Sequence, residues 1–231
     1  MTYSTNCGYS AGCFANSGGG GGGDGYPPDA VHCNGTPTAV VDVTNPITGK
    51  TWMDRNLGAS RAATSSTDEE AYGDLYQWGR GADGHQCRTS NTTTTLSSTD
   101  QPVHGDLILS SGEPYDWRNP KNNNLWQGVN GINNPCPSGY RLPSEAELDA
   151  ERLSWSSNNS AGAFDSPLKL PMPGYRNAFD GSLDDVGAYG QLWSSHIDSP
   201  QITVLSFSSS GAAVDTAGPR ARGGTVRCIK D

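Results

Sequence analysis

The chain has 231 residues, of which 33% are hydrophobic and 17% charged, and this composition suits one domain or one domain with an arm. A net charge of -9 at pH 7 disfavours nucleic acid and anionic membrane surfaces as partners, because both would repel the protein. The net charge therefore predicts no nucleic-acid partner. No apolar run approaches the roughly 20 residues of a membrane helix, so we expect no membrane insertion.

Residues 1–36 carry little apolar periodicity and contain an unbroken glycine run, Gly18 to Gly23. Such a segment behaves as flexible chain, so residues 1–36 are predicted to be an arm or linker and residues 37–231 the globular domain. A phosphate-binding loop is the alternative, but the run lacks the Lys-Ser/Thr pair and helix that such a loop requires. No signal peptide is visible at the N-terminus of this sequence.

The globular part begins with a strand-like run, Thr38 to Val43, which turns lead on to Thr51-Trp52-Met53. The residues from Thr67 to Glu70 have the form of a capping box, and apolar residues follow at helical spacing. These two features predict a short helix over about 68–78.

A second capping box, Ser144 to Glu147, follows Pro143 and predicts a helix that runs to about Arg152. Its residues available for packing are Ala146, Leu148 and Ala150. Between the two predicted helices lies a long polar tract, 88–135, which we expect Trp117 and Trp126 to hold in place. Short strands are predicted around 191–195, 203–207 and 225–229, so the fold class is α+β with a small antiparallel sheet and extensive loops.

The stretch from Gly174 to Asp231 alternates large or special residues with small or polar ones. The large and special residues, here called the frame, bury apolar area or permit turns, whereas the residues between them are free to vary. A rigid scaffold with adjustable positions is typical of a binding surface. The frame consists of Gly174-Tyr175-Arg176, Gly187, Gly190, Trp193-Ser194-Ser195, Leu205-Ser206-Phe207, Arg220 and Val226-Arg227-Cys228-Ile229-Lys230-Asp231.

The six cysteines are even in number and include no C-x-x-C pair, which favours disulfides and an oxidising location. The competing interpretation is a tetrahedral metal site from His32, Cys33, His85 and Cys87, whose spacing matches no standard zinc module. Asp68-Glu69-Glu70 and Asp184-Asp185 offer oxygen ligands for a structural calcium ion, but the first cluster is also explained by a helix N-terminus. No cofactor and no metal site is predicted.

Six sequence blocks resemble the Fibrobacter succinogenes major paralogous (FISUMP) domain, in the family's order and over roughly 40–231. The blocks are Thr51-Trp52-Met53-Asp54-Arg55-Asn56-Leu57-Gly58, Tyr72-Gly73-Asp74-Leu75-Tyr76-Gln77-Trp78-Gly79-Arg80, Pro135-Cys136-Pro137-Ser138-Gly139-Tyr140-Arg141-Leu142-Pro143, Gly174-Tyr175-Arg176, Trp193-Ser194-Ser195 and Val226-Arg227-Cys228-Ile229-Lys230-Asp231.

The resemblance implies a C-type-lectin-like fold, related to formylglycine-generating enzymes, with two helices and a twisted central sheet. It also implies a disulfide between Cys136 and Cys228. Of the remaining cysteines, Cys7 and Cys13 are then expected to pair locally and Cys33 with Cys87. The same fold is used by the variable proteins of diversity-generating retroelements, in which a C-terminal segment, here about 174–227, forms the ligand face.

The resemblance does not extend to an enzyme. Formylglycine-generating enzymes use two cysteines a few residues apart near the C-terminus, and Cys228 stands alone in its region. Calcium-dependent lectins use paired triplets, which Glu113-Pro114-Tyr115 and Gln101-Pro102-Val103 do not complete. His196 is open to two interpretations, a surface binding residue or a general base, and we prefer the first because no local nucleophile signature accompanies it.

Retroelement mutagenesis randomises adenines, and asparagine codons treated in this way never yield Lys, Glu, Gln, Met or Trp. Between His196 and Arg222 the chain contains none of these five residue types except Gln201. We therefore expect a non-enzymatic, surface-displayed protein, located extracellularly, on a cell or on a virion, that binds a protein or other surface ligand. The alternatives are a relative of the formylglycine-generating oxidases and a structural surface module. The predicted variable face consists of Asn177, Ala178, Phe179, His196, Ile197, Asp198, Ser199, Ile202, Val204, Ser206, Ser208, Asp215, Thr216, Ala217, Pro219, Arg222 and Gly224.

Overall fold

The computed structural model describes residues 25–110, 112–113, 115–198, 201–216 and 218–231. The glycine run and the expected pairing of Cys7 with Cys13 lie outside these residues. The described part is α+β, as predicted, with two short helices, several small and mostly antiparallel sheets, and long loops. No helix within it is both long and apolar enough to cross a membrane.

The elements, in chain order, are β1 (Asp42–Thr44), β2 (Thr51–Met53), a 3-10 turn (Glu69–Ala71), β3 (Tyr76–Gln77), β4 (Thr92–Thr93), β5 (Leu107–Ile108), β6 (Tyr140–Arg141), α1 (Glu145–Leu153), α2 (Ser160–Asp165), β7 (Tyr175–Arg176), β8 (Leu183–Asp184), β9 (Tyr189–Asp198), β10 (Gln201–Ser208), β11 (Gly211–Thr216), β12 (Gly223–Gly224) and β13 (Ile229–Lys230). Among the described residues they form sheets of order β1-β2-β13-β6, β11-β10-β9 and β3-β12-β7-β8, with β4 and β5 paired in parallel.

The sheet β11-β10-β9 separates two apolar cores. On one face, Trp193 and Val204 are paired across the ladder and belong to a core that contains the Cys136–Cys228 disulfide. On the other face, Leu192 and Leu205 are paired and pack with residues of the two helices. Because side chains alternate along a strand, the two middle strands are buried on both faces over part of their length.

The predicted second helix is confirmed as α1. Its N-cap, Ser144, accepts a hydrogen bond from the backbone N–H of Glu147, and the Glu147 side chain accepts one from the Ser144 N–H. The side chains that face the core are Leu148 and Glu151, whereas Ala146 and Ala150 are exposed, contrary to expectation. Burial thus falls on a narrower stripe than the spacing of the apolar residues indicated.

The helix predicted over 68–78 is wrong: the segment forms the 3-10 turn and then β3. Gly73 has a φ of +71°, and a Cβ there would lie 2.3 Å from the Leu57 carbonyl oxygen. The backbone N–H of Asp74 donates to that oxygen at 2.8 Å, and Leu75 N–H donates to Gln86 O at 2.9 Å. Tertiary hydrogen bonds therefore replace the helical ones.

The strands predicted around 191–195 and 203–207 are confirmed as β9 and β10. The third, around 225–229, is mostly wrong: β12 ends before this segment, β13 begins only at Ile229, and Thr225 forms an isolated bridge to Leu192. The run from Thr38 to Val43 is a strand only from Asp42 onward.

The two tryptophans expected to hold the polar tract 88–135 do so. Trp117 and Trp126 are both fully buried, at 0% exposure. The Trp117 indole N–H donates to the Trp78 carbonyl at 2.7 Å, and that of Trp126 donates to Asn133 at 2.9 Å. A long irregular segment is thus fixed by buried aromatic rings and not by repeating structure.

The disulfides Cys33–Cys87 and Cys136–Cys228 are both present. The metal interpretation of the first pair is therefore wrong, since the two sulfurs are bonded to each other. His85 is engaged as well: its Nε2 accepts from the Gln77 N–H at 2.9 Å and its Nδ1 lies 2.6 Å from Asp83 Oδ1. Burial lowers the pKa of His85 to about 4.

The described part of the predicted arm is attached to the domain. Its backbone is bonded at two points, Ser138 N–H to Gly25 O and Val31 N–H to Ala82 O, each at 2.6 Å. The Cys33–Cys87 disulfide adds a covalent link. Residues 25–36 thus cover part of the domain surface.

Three buried arginines, Arg80, Arg176 and Arg227, connect distant loops by donating to main-chain carbonyls. Arg227 also donates to Asn56 Oδ1 at 2.9 Å, and burial lowers its pKa to about 9. The main-chain acceptors are His104 and Asp106 for Arg80, Cys87, Ser90 and Gly181 for Arg176, and Met53 and Leu168 for Arg227.

Candidate functional site

Part of the sheet β11-β10-β9 lies open on the face that carries Trp193. Along β9, the residues on this face are Tyr189, Gln191 and Trp193, and the Trp193 end is covered by the core. Ser206 pairs with Gln191 and Ser208 pairs with Tyr189, and both serines are partly exposed. On β11, the exposed Ala213 and Asp215 continue the same face.

Arg222 lies beside this open sheet. Its guanidinium carbon is 4.4 Å from the centroid of the Tyr175 ring, and its Nη1 donates a long hydrogen bond, 3.4 Å, to Gln191 Oε1. The Tyr175 ring meets that of Tyr189 edge-on at 6.0 Å. Among the described residues Arg222 forms no ion pair, and its guanidinium plane lies against the Tyr175 ring while the residue stays partly exposed.

The hairpin of β7 and β8 extends the site. Asn177 Nδ2 donates to Asp184 Oδ2 at 2.8 Å, which places an amide and a carboxylate next to Tyr175 in the pairing. Partial burial raises the pKa of Tyr175, and the charge of Arg222 opposes that rise. Phe179, in the turn of this hairpin, is 54% exposed.

These contacts connect a set of partly or fully exposed residues that we call the Arg222 face. It combines aromatic rings, small hydroxyl side chains, two carboxylates and one arginine. Such a mixture provides large contact area and adaptable hydrogen bonds, with no arrangement of an acid, base and nucleophile. The Arg222 face consists of Tyr175, Asn177, Asp184, Tyr189, Ser206, Ser208, Ala213, Asp215 and Arg222.

Four residues of the predicted variable face are buried, and their predicted exposure is wrong. Ile202 and Val204 are at 0% exposure because they pack into the core beside Trp193. Ala178 is 2% exposed, and its carbonyl accepts from Ser110 N–H. Gly224 is buried, and its backbone lies so close to Trp193 that a Cβ would be 2.7 Å from the indole nitrogen.

The predicted single face is divided between two sides of the sheet. His196 points to the helix side, where its Nε2 lies 3.1 Å from Glu145 Oε2. It borders a cleft of about 420 Å³ whose other walls include Asp149 and Val214. Ile197, the next residue, packs against the opposite core. Alternation along β9 therefore separates His196 from the Arg222 face.

The remaining predicted residues lie as follows. Thr216 is exposed at the end of β11 and Pro219 is partly exposed near Arg222, whose N–H donates to the Pro219 carbonyl. For Asp198 the structure describes the backbone, which belongs to β9. Ser199 and Ala217 lie outside the described residues.

Tyr189, Gln191, Asp184 and Ala213 belong to the site or its base but were not predicted as ligand residues. The signal that identifies two of them is the alternation in β9, where Tyr189 and Gln191 precede Trp193 by four and two positions. Asp184 and Ala213 carry no such signal, because each is placed by a partner strand.

The candidate catalytic and calcium groups have protein partners. Ser194 Oγ donates to the Thr203 carbonyl at 2.6 Å, and it contacts His196 through the backbone, accepting from the His196 N–H at 3.1 Å, with no bond to the imidazole ring. Asp68 accepts from Arg61 and from Thr64, and these bonds hold its pKa well below the usual range. It is the N-cap of the 3-10 turn, whose first turn holds Glu69 and Glu70, but its side chain makes no capping bond. The described residues contain no cluster of three or more His, Cys, Asp or Glu that could hold a metal ion.

Comparison of the chain with protein-family models, with curated protein sequences and with solved structures finds no match.

Proposed function

We propose that this protein is a surface-displayed ligand-binding protein in which a C-type-lectin-like scaffold of the FISUMP type presents a variable face. The observation that carries the proposal is a difference in burial between alternate residues of β10. The large frame members Trp193, Leu205 and Phe207 are at most 2% exposed. The residues that alternate with them on β10, Ser206 and Ser208, are partly exposed. Exchange of Ser206 or Ser208 thus alters a surface while the core stays the same.

The chemistry of the Arg222 face favours a protein ligand. Tyrosine and arginine are enriched among the residues that dominate binding energy in protein interfaces, and the partly exposed Arg222 lies over the Tyr175 ring. Small residues such as Ser206, Ser208 and Ala213 permit many larger substitutions without a steric conflict at the backbone.

Extracellular display follows from the disulfides in this proposal. The part of the chain that the structure describes contains two, Cys33–Cys87 and Cys136–Cys228, and disulfides persist in oxidising environments. They link segments 54 and 92 residues apart, so they also stabilise a domain made mostly of loops.

The proposal is tested by two display libraries of equal size, each selected against a panel of immobilised proteins. One randomises five positions of the Arg222 face, and the control randomises five exposed positions of the helices. Binders are expected from the face library alone, with protease resistance retained in both. Equal recovery from both libraries contradicts the proposal. The face positions are 206, 208, 213, 215 and 222, and the control positions are 146, 150, 153, 161 and 165.

The retroelement origin has a test of its own in the gene's surroundings. We expect a reverse transcriptase gene and a near-copy of the DNA for about 174–227 that differs only at adenines. Related copies that vary evenly along their length leave a FISUMP-like surface domain without diversification. Copper-dependent oxidation of a cysteine peptide by this protein favours the oxidase alternative, and a broad screen without a ligand favours the structural module.

A further inference from the structure

A cavity of about 300 Å³ lies where the described arm residues meet the loops around Gly58 and Gly73. Its walls include Asn34, Glu69, Glu70 and Arg88, together with the Cys33–Cys87 disulfide. Asp74 lines the same cavity. None of the residues of the Arg222 face contributes to it, so the inference drawn from this cavity is independent of the proposed function.

The carboxyl group of Asp74 has no partner. The side chain is 6% exposed, and no hydrogen bond or ion pair from the described residues reaches it. An unpartnered carboxylate in a buried position is costly, and native structures satisfy such groups with protein, water or a ligand. Because the Asp74 carboxyl borders an open cavity and no donor from the described residues reaches it, a donor that enters the cavity can bind it.

The surrounding backbone is shaped to hold this carboxyl. A Cβ on Gly58 would lie 2.2, 2.4 and 2.5 Å from Asp74 Cγ, Oδ2 and Oδ1. These nearly equal distances mean that the carboxyl lies flat over the Gly58 α-carbon, so its lone pairs point sideways in the carboxyl plane. Gly58 and Gly73 have φ values of +84° and +71°, which residues other than glycine rarely adopt.

The nearest cation is committed elsewhere. Arg88 Nη2 donates to the Pro173 carbonyl at 2.8 Å, Nη1 donates to Gly73 O at 3.4 Å, and the guanidinium lies 5.6 Å from the Tyr72 ring centroid. Its charge lowers the Asp74 pKa only in part: burial dominates and raises that pKa to about 7.

The other charged or titratable groups around Asp74 lie on two sides. Glu69 and Glu70 are exposed at the cavity, and Glu70 accepts from Ser60 Oγ at 2.6 Å. On the opposite side Tyr26, His32 and Tyr76 line a smaller cavity that Asp74 also borders. With Asp74 ionised, the cavity carries three carboxylates and one arginine, an excess of negative charge.

We propose that this cavity binds an alkylammonium group, with Asp74 as its counter-ion and Glu69 and Glu70 at the entrance. An ammonium is a compact charge with three N–H donors, so it suits one buried carboxylate approached from the side and further carboxylates near the surface. The ammonium end of the ligand lies inside the cavity, and its aliphatic chain extends through the opening toward solvent. The chemistry is that of a lysine side chain or of a free diamine.

The test uses the intact protein with two probes, 1,5-diaminopentane and N-acetyl-lysine methylamide, and with pentan-1-ol as the uncharged control. Calorimetric titration at pH 8 is expected to show binding of at least one amine with a dissociation constant in roughly the millimolar range, and none of the alcohol. Binding of both amines indicates that the ammonium alone is recognised, and binding of one identifies the source. Absence of binding by both amines overturns the proposal.

Two further measurements assign the site. Asp74→Asn is expected to weaken amine binding at least about tenfold, while Asp165→Asn, an exposed acid on α2, leaves it unchanged. Because the Asp74 pKa is about 7, the ionised fraction rises about tenfold between pH 6 and pH 8, and the affinity should rise equally. Equal binding by Asp74→Asn and wild type, or affinity independent of pH, refutes the role of Asp74. Release of about half a proton on binding at pH 7 provides a check without any variant.

Discussion

Gly190→Ala is expected to destabilise the domain, because the Phe207 ring occupies the space that a side chain at position 190 requires. The two residues are paired across β9 and β10, and a Cβ at 190 would lie 2.1, 2.3 and 2.7 Å from three ring atoms. The ring is also held edge-on against Trp155 at 5.6 Å between centroids. Overpacking of this kind costs about 1–3 kcal/mol, or about 2–12 °C in Tm for a domain of this size.

The assay is denaturant unfolding followed by tryptophan fluorescence, with the disulfides intact. Gly211→Ala is the matched control, because it lies in the same sheet and its Cβ would meet nothing closer than Asn158 O at 3.9 Å. Phe207→Leu in the Gly190→Ala background should recover part of the loss, which gives a coupling of about 1 kcal/mol or more in a double-mutant cycle. Equal effects of the two alanine substitutions, or additive effects of the two core changes, contradict the reasoning.

Three other outcomes are expected. Trp193→Ala should lower the free energy of unfolding by about 3–5 kcal/mol, because it removes core packing and the 2.7 Å hydrogen bond from the indole N–H to Tyr76 O. Ser206→Thr should change the free energy of unfolding by about 0.5 kcal/mol at most. Mass mapping without reductant should recover Cys136 and Cys228 in one linked peptide, and free thiols would contradict this. Burial raises the pKa of Glu147, but hydrogen bonds from Arg141 and Ser144 outweigh burial and lower the pKa to about 2. Glu147 therefore contributes to the free energy of unfolding above about pH 4.5, and this contribution is lost as the pH falls toward 2. Glu147→Gln should flatten that acid limb of the stability profile.

Local signals predicted local structure. The box that opens α1 is read from residues 144–147 and depends on contacts among those residues, which is why that helix was predicted. The similar box at 67–70 failed because Gly73 takes a left-handed conformation and its neighbours bond to Leu57 and Gln86, which are distant in sequence. β11 was missed because its small residues carry no apolar alternation, and β10 supplies its pairing.

The candidate site was predicted in part for the same reason. Period-two alternation in the strand predicted around 203–207 puts Leu205 and Phe207 on one side and Ser206 and Ser208 on the other, as the structure has them. The same alternation puts Val204 on the side of the two serines, which is correct. Val204 is nevertheless buried, because Trp193 and the core that contains the Cys136–Cys228 disulfide cover that end of the strand. Alternation determines which side a residue occupies, and tertiary packing determines whether that side is open.

The buried arginines have a consequence for how this fold can change over time. Arg80, Arg176 and Arg227 connect separate loops, and most of their acceptors are backbone carbonyls. A carbonyl is the same whichever side chain its residue carries. An acceptor residue can therefore change its side chain without losing this bond, provided that its backbone keeps its position. Lysine, whose ammonium replaces a planar fork of five N–H donors, does not reproduce the geometry of these arginines. Exchange of an acceptor's side chain thus leaves the attachment in place, whereas exchange of one of the three arginines removes several attachments at once.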